Sequence, residues 1–403
     1  MTGSEVVDDQ HVVTGFDERF DGDGADVPSA TSDEESHVAM LPRRIGRRRG
    51  VALATLRCRA AAQDAQRCCW GILEGHGRSP VMSASTSEST STAPATTSST
   101  NAGLIWFDGR IVPEAEATVS VLTHAMHYGT SVFEGIRAYE TDRGAAVFRL
   151  HEHSVRLLES AKILGMKTTW TAEEIDRAIV DTIKANERVS CYIRPLIWYG
   201  AESLGVNPGR NTLHLMVATL PWGIYLGDDA VRKGAALMTS SWRRSSGDIM
   251  PTKAKAGGNY VNSVLANAEA RDNGFDEALL LDKEGYVAEG SGENIFFLKG
   301  DTLYALAHSV NLRGITRDTV IQLARDMGTQ VEATMATRDE LYTADEVFMV
   351  GTAAEVTPIA SIDRRPIGPG VAGPFGLAMR ERYLQVVSGK VAAYHRWLTF
   401  VHG

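Results

Sequence analysis

Apolar and polar positions fall into regular periods only from residue 104 onward. Leu104-Ile105-Trp106-Phe107 and Arg110-Ile111-Val112 flank Asp108-Gly109, the pattern of two strands joined by a tight turn. Residues 136–140 and 145–150 repeat that arrangement around Thr141-Asp142-Arg143-Gly144. Between Leu150 and Leu164 the apolar residues recur at helical spacing. A second helix has a full start signal, with Thr171 as N-cap, Glu174 closing a capping box and Trp170 against Ile175 as a staple. Residues 191–199 and 213–220 read as strands. After Pro221-Trp222-Gly223 a polar connection at 228–233 leads to further strands at 235–242, 278–281, 294–298 and 347–350. Helices are predicted at 316–327 and from Thr337, where Glu340 completes a second capping box. Strands clustered with a few helices in each half predict two mixed α/β (α+β) domains, 104–225 and 233–403, joined by a linker at 226–232.

The first 103 residues lack such periods. Residues 1–37 are acidic, Pro42-Arg43-Arg44-Ile45-Gly46-Arg47-Arg48-Arg49 is basic, and 82–101 are almost entirely Ser, Thr and Ala. Stretches of this kind bury too little apolar surface to offset chain entropy, so a disordered extension is expected. The Arg-rich run would suit a transit peptide starting near Met40. The plainer reading is that the chain proper starts at Met82.

Composition narrows the classes. With 403 residues, 43% of them hydrophobic, the chain can bury two cores of ordinary size. A formal charge of −9 gives no global attraction to nucleic acid. No apolar run approaches the roughly 20 residues of a membrane-spanning helix, so a membrane is not an expected partner. Three of the four cysteines, Cys58, Cys68 and Cys69, lie in the extension, leaving Cys191 alone in the periodic part. That fits a reducing, cytoplasmic setting. His124 and His127 are close, but no third ligand completes a metal motif, so a structural role is expected for both.

Four segments carry candidate chemistry. In Lys253-Ala254-Lys255-Ala256-Gly257-Gly258-Asn259-Tyr260 a lysine precedes two glycines, which permit close approach of backbone or bound groups. Such a lysine condenses with an aldehyde if its surroundings lower its pKa. Glu289-Gly290-Ser291-Gly292-Glu293-Asn294 ends the strand after the turn Asp282-Lys283-Glu284-Gly285 and sets a carboxylate where it can pair with a ring nitrogen. Gly314-Ile315-Thr316-Arg317-Asp318 opens a helix whose free N–H groups favour a phosphate. Gly351-Thr352-Ala353-Ala354 adds a hydroxyl and consecutive backbone donors after an apolar strand. Each segment alone has a plain alternative: a solvated loop lysine, an edge charge, an N-cap at Thr316, a strand end at Gly351.

Taken together and in this order, these segments resemble the branched-chain aminotransferases among the fold-type IV pyridoxal-phosphate enzymes. The resemblance also rests on His124-Ala125-Met126-His127-Tyr128-Gly129-Thr130-Ser131-Val132-Phe133-Glu134-Gly135-Ile136-Arg137 and Tyr192-Ile193-Arg194-Pro195-Leu196, and covers about three quarters of the chain. It implies two domains with pyridoxal phosphate held at their interface, and a homodimer or an assembly of dimers. It implies that Lys255 bonds the cofactor and, once freed, carries a proton between the substrate α-carbon and the cofactor. Glu289 would pair with the pyridinium nitrogen and Tyr260 with the ring's phenolic oxygen. Arg156, Ile315, Thr316 and Thr352 would form the phosphate cup, and Leu312 would also meet the cofactor.

For the substrates, amino acids and 2-oxo acids, the resemblance places Tyr128, Phe133, Val206, Trp222 and Tyr225 around an apolar side-chain pocket. Arg194 would meet the second carboxylate of glutamate. Tyr192 and the backbone around Thr352 and Ala353 would hold the α-carboxylate. The chain departs from the family between Leu303 and Gly314, where Tyr304-Ala305-Leu306-Ala307-His308-Ser309-Val310-Asn311-Leu312-Arg313 lacks the usual threonine and prolines. A loop that sits differently is therefore expected there, with the roles of Leu312 and Ile315 and the cofactor affinity at stake. The rivals are a D-amino-acid aminotransferase or aminodeoxychorismate lyase of the same fold, and a non-enzymatic protein on this scaffold. Tyr192-Ile193-Arg194-Pro195-Leu196 and Gly205-Val206-Asn207-Pro208 favour the branched-chain type.

Overall fold

A computed structural model describes residues 103–223, 226–227, 232–307 and 310–403. The expected N-terminal extension up to residue 102 lies outside the described residues, as does Tyr225. The first sheet begins with β1 (Leu104–Phe107) and β2 (Arg110–Pro113), paired across the expected tight turn. It continues through β3 (Ser131–Phe133), β4 (Ile136–Thr141), β5 (Gly144–Phe148), β6 (Cys191–Tyr199) and β7 (Leu213–Leu220). Its order is β17-β5-β4-β6-β7-β1-β2 with β3 beside β6, where β17 is Leu398–Phe400. The C-terminal strand thus returns to close the edge of the first sheet, Leu398 opposite Phe148.

Helices α2 (Leu150–Ile163) and α3 (Ala172–Ala185) cover this sheet; a short α1 (His124–Tyr128) precedes β3. The start of α3 follows the sequence signal: Thr171 N–H donates to Glu174 Oε2 at 2.8 Å and Glu174 N–H to Thr171 Oγ1 at 3.3 Å. Leu157 and Ala161 of α2 and Ile175, Ile179 and Ile183 of α3 bury against Ile193, Ile197 and Leu215 of the sheet. Each fully buried Leu or Ile contributes about 1.5–3 kcal/mol of hydrophobic stabilisation.

The second sheet is built from β8 (Ala235–Arg243), β9 (Glu277–Leu281), β10 (Val287–Gly290), β11 (Asn294–Lys299), β12 (Thr302–Leu306), β13 (Gln330–Thr334), β14 (Glu346–Gly351), β15 (Glu355–Ile362) and β16 (Arg365–Pro366). Its order is β10-β9-β8-β15-β14-β11-β12-β13, with β16 beside β15. Three pairings are parallel: β8 with β9, β8 with β15, and β12 with β13. The helices are α4 (Tyr260–Asp272), α5 (Ile315–Asp326), α6 (Arg338–Tyr342) and α7 (Pro374–Val387). The mixed α/β class stands.

Two long helices, α4 and α7, have no counterpart in the sequence reading. The reason is their pattern: α4 buries only Ser263, Ala266 and Ala270 and exposes Val261 and Val264, so no apolar stripe marks it. α7 buries Gly376, Arg380 and Tyr383 among its apolar residues. A further correction concerns α5, which begins at Ile315 with Gly314 as N-cap and not with Thr316 in that position.

The two sheets share a core. Val320 and Leu323 of α5 and Met379, Tyr383 and Val386 of α7 pack on Phe296, Phe348, Val350 and Val356 of the second sheet. Tyr139 and Phe148 of the first sheet join the same cluster. Phe296 and Phe348 stack with centroids 5.2 Å apart. Phe348→Ala should cost about 3–5 kcal/mol, because a fully buried ring leaves a cavity its stacked neighbour cannot fill. Urea unfolding would show it as a lower midpoint with an unchanged slope; a loss under about 1 kcal/mol would mean the shared core is not tightly packed.

Candidate active site

The segment between β8 and α4 lies along the first sheet and carries Lys255. Ala256 bridges Val132, Phe133 N–H donates to Lys255 O at 3.0 Å, and Lys255 N–H donates to Ser160 Oγ on α2 at 3.0 Å. The glycines are explained by this packing. A Cβ at Gly257 would stand 2.4 Å from Ser131 Oγ, and Gly258 N–H donates to Gly129 O at 3.1 Å. They admit backbone, and so set the lysine in place.

The Lys255 Nζ donates to Tyr260 Oη at 2.6 Å and stands 5.0 Å from the Phe133 ring centre. Burial pulls its pKa down, but Tyr260 and Glu134 outweigh that, and it stands above the ordinary lysine value. The lowered pKa named as a condition from sequence is therefore not what these neighbours alone provide. The phenol oxygen and a buried carboxylate stabilise the ammonium more than desolvation penalises it.

Arg156 on α2 lines the same cleft. Its Nε donates to Glu134 Oε1 at 2.6 Å, one terminal nitrogen to Glu134 Oε2 at 2.9 Å, and the other to Arg313 O at 2.7 Å. Glu134 is fully buried and its Oε2 also lies 2.8 Å from His153 Nδ1. Burial alone would raise the Glu134 carboxyl, but Arg156 and His153 overcome it and hold the pKa far below the usual range. Three of five guanidinium donors are used in this way, and the fork is fixed in direction.

Ile315 and Thr316 line the cleft at the start of α5, which has no side-chain cap, so its first N–H groups have no intrahelical partner. Thr352 lines it from the turn between β14 and β15. Gly314 is required where it stands, since a Cβ there would meet Asn294 Oδ1 at 2.0 Å.

Glu289, at the end of β10, is buried in the same cleft. Its Oε2 accepts from Leu312 N–H at 3.2 Å and Asn294 Nδ2 at 3.4 Å; its Oε1 is 3.0 Å from Arg244 Nε. Burial raises its pKa above the ordinary carboxylate value against the pull of Arg244. The divergent stretch before Gly314 thus meets the site through main-chain atoms, Leu312 N–H on Glu289 and Arg313 O on Arg156. The carbonyl contact is open to any residue, whereas the N–H contact to Glu289 needs a non-proline residue at 312, which Leu312 provides. His308 and Ser309 lie outside the described residues.

The expected substrate residues divide. Phe133, Tyr192, Arg194 and Trp222 gather beside Lys255. Arg194 stands 4.7 Å over the Phe133 ring and donates to Tyr192 Oη at 3.2 Å, Tyr192 stacks on Trp222 at 4.5 Å, and Phe133 meets Tyr260 edge-on at 4.7 Å. Ala353 shares the turn with Thr352. Tyr128 and Val206 are not brought to this chain's cleft. Val206 is 79% exposed, and the half-exposed Tyr128 donates its hydroxyl to Leu204 O at 2.9 Å. His124 is buried with Nδ1 2.7 Å from Thr130 Oγ1 and Nε2 2.9 Å from Gly205 O. Among the described residues no cluster of His, Cys, Asp and Glu has metal-binding geometry.

Sequence reasoning passed over Glu134, Arg244 and Glu293. Glu134 stands inside the motif that runs from His124 to Arg137, and its apolar neighbours Val132 and Ile136 were a signal that a charge there is buried. Arg244, after a strand, had no such mark. Burial and the neighbouring Glu277 push the Glu293 carboxyl up to about 8.

The profile of the amino-transferase class IV family matches residues 131–362, and the chain belongs to this family. It is 46% identical over 299 residues to a branched-chain-amino-acid aminotransferase of Pseudomonas aeruginosa, covering 74% of this chain and 97% of that one. Among solved structures, a T.th. branched-chain amino acid aminotransferase with pyridoxamine 5'-phosphate is 60% identical, with a TM-score of 0.73 over 74% of this chain and 98% of that one. The same T.th. enzyme complexed with N-(5'-phosphopyridoxyl)-L-glutamate is 59% identical, with a TM-score of 0.72 over 74% and 98% of the two chains.

Glu293 generates a pH prediction. Its folded pKa of about 8 exceeds the unfolded value of roughly 4.3, so the stability tied to its neutral form is full below the lower value and lost as pH rises through the higher. Glu293→Gln should therefore unfold at a higher urea concentration than wild type at pH about 8, with the gap closing toward pH about 5. An equal decline in both proteins would show that Glu293 is already ionised in the fold.

Proposed function

We infer that this class IV aminotransferase exchanges the amino group between branched-chain L-amino acids (leucine, isoleucine and valine) and 2-oxoglutarate, using pyridoxal phosphate. The observation that carries it is one cleft lined by Lys255 and Tyr260, by Glu289, and by Arg156, the uncapped start of α5 and Thr352. That donor set fits the cofactor: an amine for its carbonyl carbon, a carboxylate for its ring nitrogen, and a guanidinium, helix N–H groups and a hydroxyl for its phosphate. The names of the relatives point to the substrates.

When bound, pyridoxal phosphate supplies an electron-withdrawing ring that lets the substrate lose its α-proton and exchange its amino group for oxygen. The chain's own residues do the rest. Lys255 Nζ would bond the cofactor at rest and, once freed, carry the proton from the substrate α-carbon to the cofactor. Tyr260 Oη, 2.6 Å away, holds that amine in line. Arg156 receives the phosphate in a direction set by Glu134. Phe133, Tyr192 and Trp222 exclude water around an apolar side chain, and Arg194 answers the second carboxylate of glutamate. The first sheet brings the aromatic wall and Arg156, the second brings Glu289 and Thr352, and a cofactor held between two such domains, 104–225 and 233–403, is the arrangement we favour.

Tyr128 and Val206 fit the same reading through oligomerisation. Val121, Leu122, Met126 and Leu204, their neighbours in sequence, are exposed apolar residues as well. Pocket-lining and exposure in the single chain are met together if Tyr128 and Val206 reach the pocket of a second copy. A homodimer or an assembly of dimers follows, and native gel filtration showing only monomer would sink it. Among the described residues no helix is long and apolar enough to cross a membrane. Among the described residues Cys191 is buried and in no disulfide; we read the compartment as the cytoplasm.

The test is the visible absorption of the purified, cofactor-loaded protein. A yellow band should be bleached by L-leucine and restored by 2-oxoglutarate, and Lys255→Ala should abolish turnover. A band answering only D-amino acids would transfer the chain to the rival substrate class; no band at all would favour the non-enzymatic reading. Arg194→Ala should raise the KM for 2-oxoglutarate by on the order of 10- to 100-fold, the worth of one charge-assisted contact, with a smaller change for leucine.

A further inference from the structure

Arg244 follows the last residue of β8, and its N–H donates to Leu281 O at 2.8 Å. One terminal nitrogen of its guanidinium donates to Asn262 Oδ1 at 3.0 Å and Ser263 Oγ at 3.1 Å, both on α4, the helix that begins with Tyr260. The other donates to Gly290 O at 2.9 Å and Ser291 O at 3.4 Å, in the turn just after Glu289. Its Nε makes no hydrogen bond among the described residues and lies 3.0 Å from Glu289 Oε1. Both side chains of the pair are about nine-tenths buried. A planar fork with five donors can be held on several sides at once, which a lysine cannot match.

We propose that Arg244 is a positioning residue of the transamination: it fixes Glu289 and keeps it a carboxylate, so that the proton they share rests on the cofactor's ring nitrogen. This deepens the reading of Glu289 as the ring-nitrogen partner and rests on it. The groups facing Glu289 set the balance. Burial favours the neutral acid; Arg244 opposes it first, then Leu312 N–H, Lys255 and Lys253, while the Glu293 carboxyl lies on the side of neutrality. Asn294 Nδ2 and Leu312 N–H both reach Oε2, leaving Oε1 to Arg244. Without the guanidinium, Glu289 keeps its orienting contacts on one oxygen and loses the nearest positive charge on the other. The shared proton then moves from ring nitrogen to carboxylate, and the ring withdraws electrons less strongly.

The experiment loads wild type, Arg244→Gln, Arg244→Lys and Glu289→Gln with pyridoxal phosphate labelled with 15N in the ring, and reads the ring nitrogen by NMR. The proposal expects a protonated resonance in wild type, an unprotonated one in Glu289→Gln, and Arg244→Gln moved most of the way toward the latter. Arg244→Lys should lie between, and kcat should fall in the same order as the protonated resonance is lost, wild type above Arg244→Lys above Arg244→Gln. Circular dichroism and thermal melting establish that each variant is folded; if Arg244→Gln is not, the intermediate position of Arg244→Lys decides. A folded Arg244→Gln with the wild-type resonance overturns the role of Arg244 alone. An unprotonated nitrogen in wild type overturns the role of Glu289 and this proposal with it.

Discussion

A carboxylate taken out of water stays charged only beside a fixed cation, and the cleft is organised around that constraint. Glu134 is forked by Arg156, Glu289 is met by Arg244, and Glu355 lies between Arg137 at 2.8 Å and Arg380 at 2.9 Å. Each pair joins separate pieces of chain. Glu134 and Arg156 tie the end of β3 to α2. Glu289 and Arg244 tie the ends of β10 and β8. Glu355, with Arg137 from the first sheet and Arg380 from α7, ties the two sheets just behind the Thr352–Ala353 turn. Its backbone has φ +55°, an uncommon conformation for a side-chain-bearing residue, which these two arginines hold in place.

The functional consequence is preorganisation. On the proposed reading of the site, a guanidinium already directed by a buried carboxylate would receive a phosphate without first being ordered, and a carboxylate already placed would meet a ring nitrogen in the same way. The lysine is set by a different device, main-chain hydrogen bonds to the first sheet and two glycines against Gly129 and Ser131. The loop before α5 serves the site through Leu312 N–H and Arg313 O, and Val310 and Leu312 also line the cleft.

Much of this was legible in the sequence where short-range rules act. The strands flanking Asp108-Gly109 and the capping boxes at Thr171 and Thr337 lie where local patterning placed them. Lys255, Glu289, Arg156 and Thr352 surround one cleft, as their motifs implied. What was not legible depends on distant partners. α4 buries only the small residues Ser263, Ala266 and Ala270, and α7 sets Gly376 and Arg380 among its buried apolar residues, so neither carries a clean apolar stripe. That Glu134 is forked by Arg156 and that Arg244 faces Glu289 are facts of tertiary packing, since the pairs are 22 and 45 positions apart. Tyr128 and Val206 show the same limit from the other side: a motif gave them a pocket role, and a single chain leaves them exposed.

The central claim is that this cleft holds its cofactor through Lys255. It is tested most directly by reducing the cofactor-loaded protein with borohydride, which makes the lysine–cofactor link permanent, and mapping the label by peptide mass spectrometry. The account predicts a phosphopyridoxyl group on Lys255 and none on Lys253, two positions away. A label on Lys253, on any other lysine, or on none would contradict it.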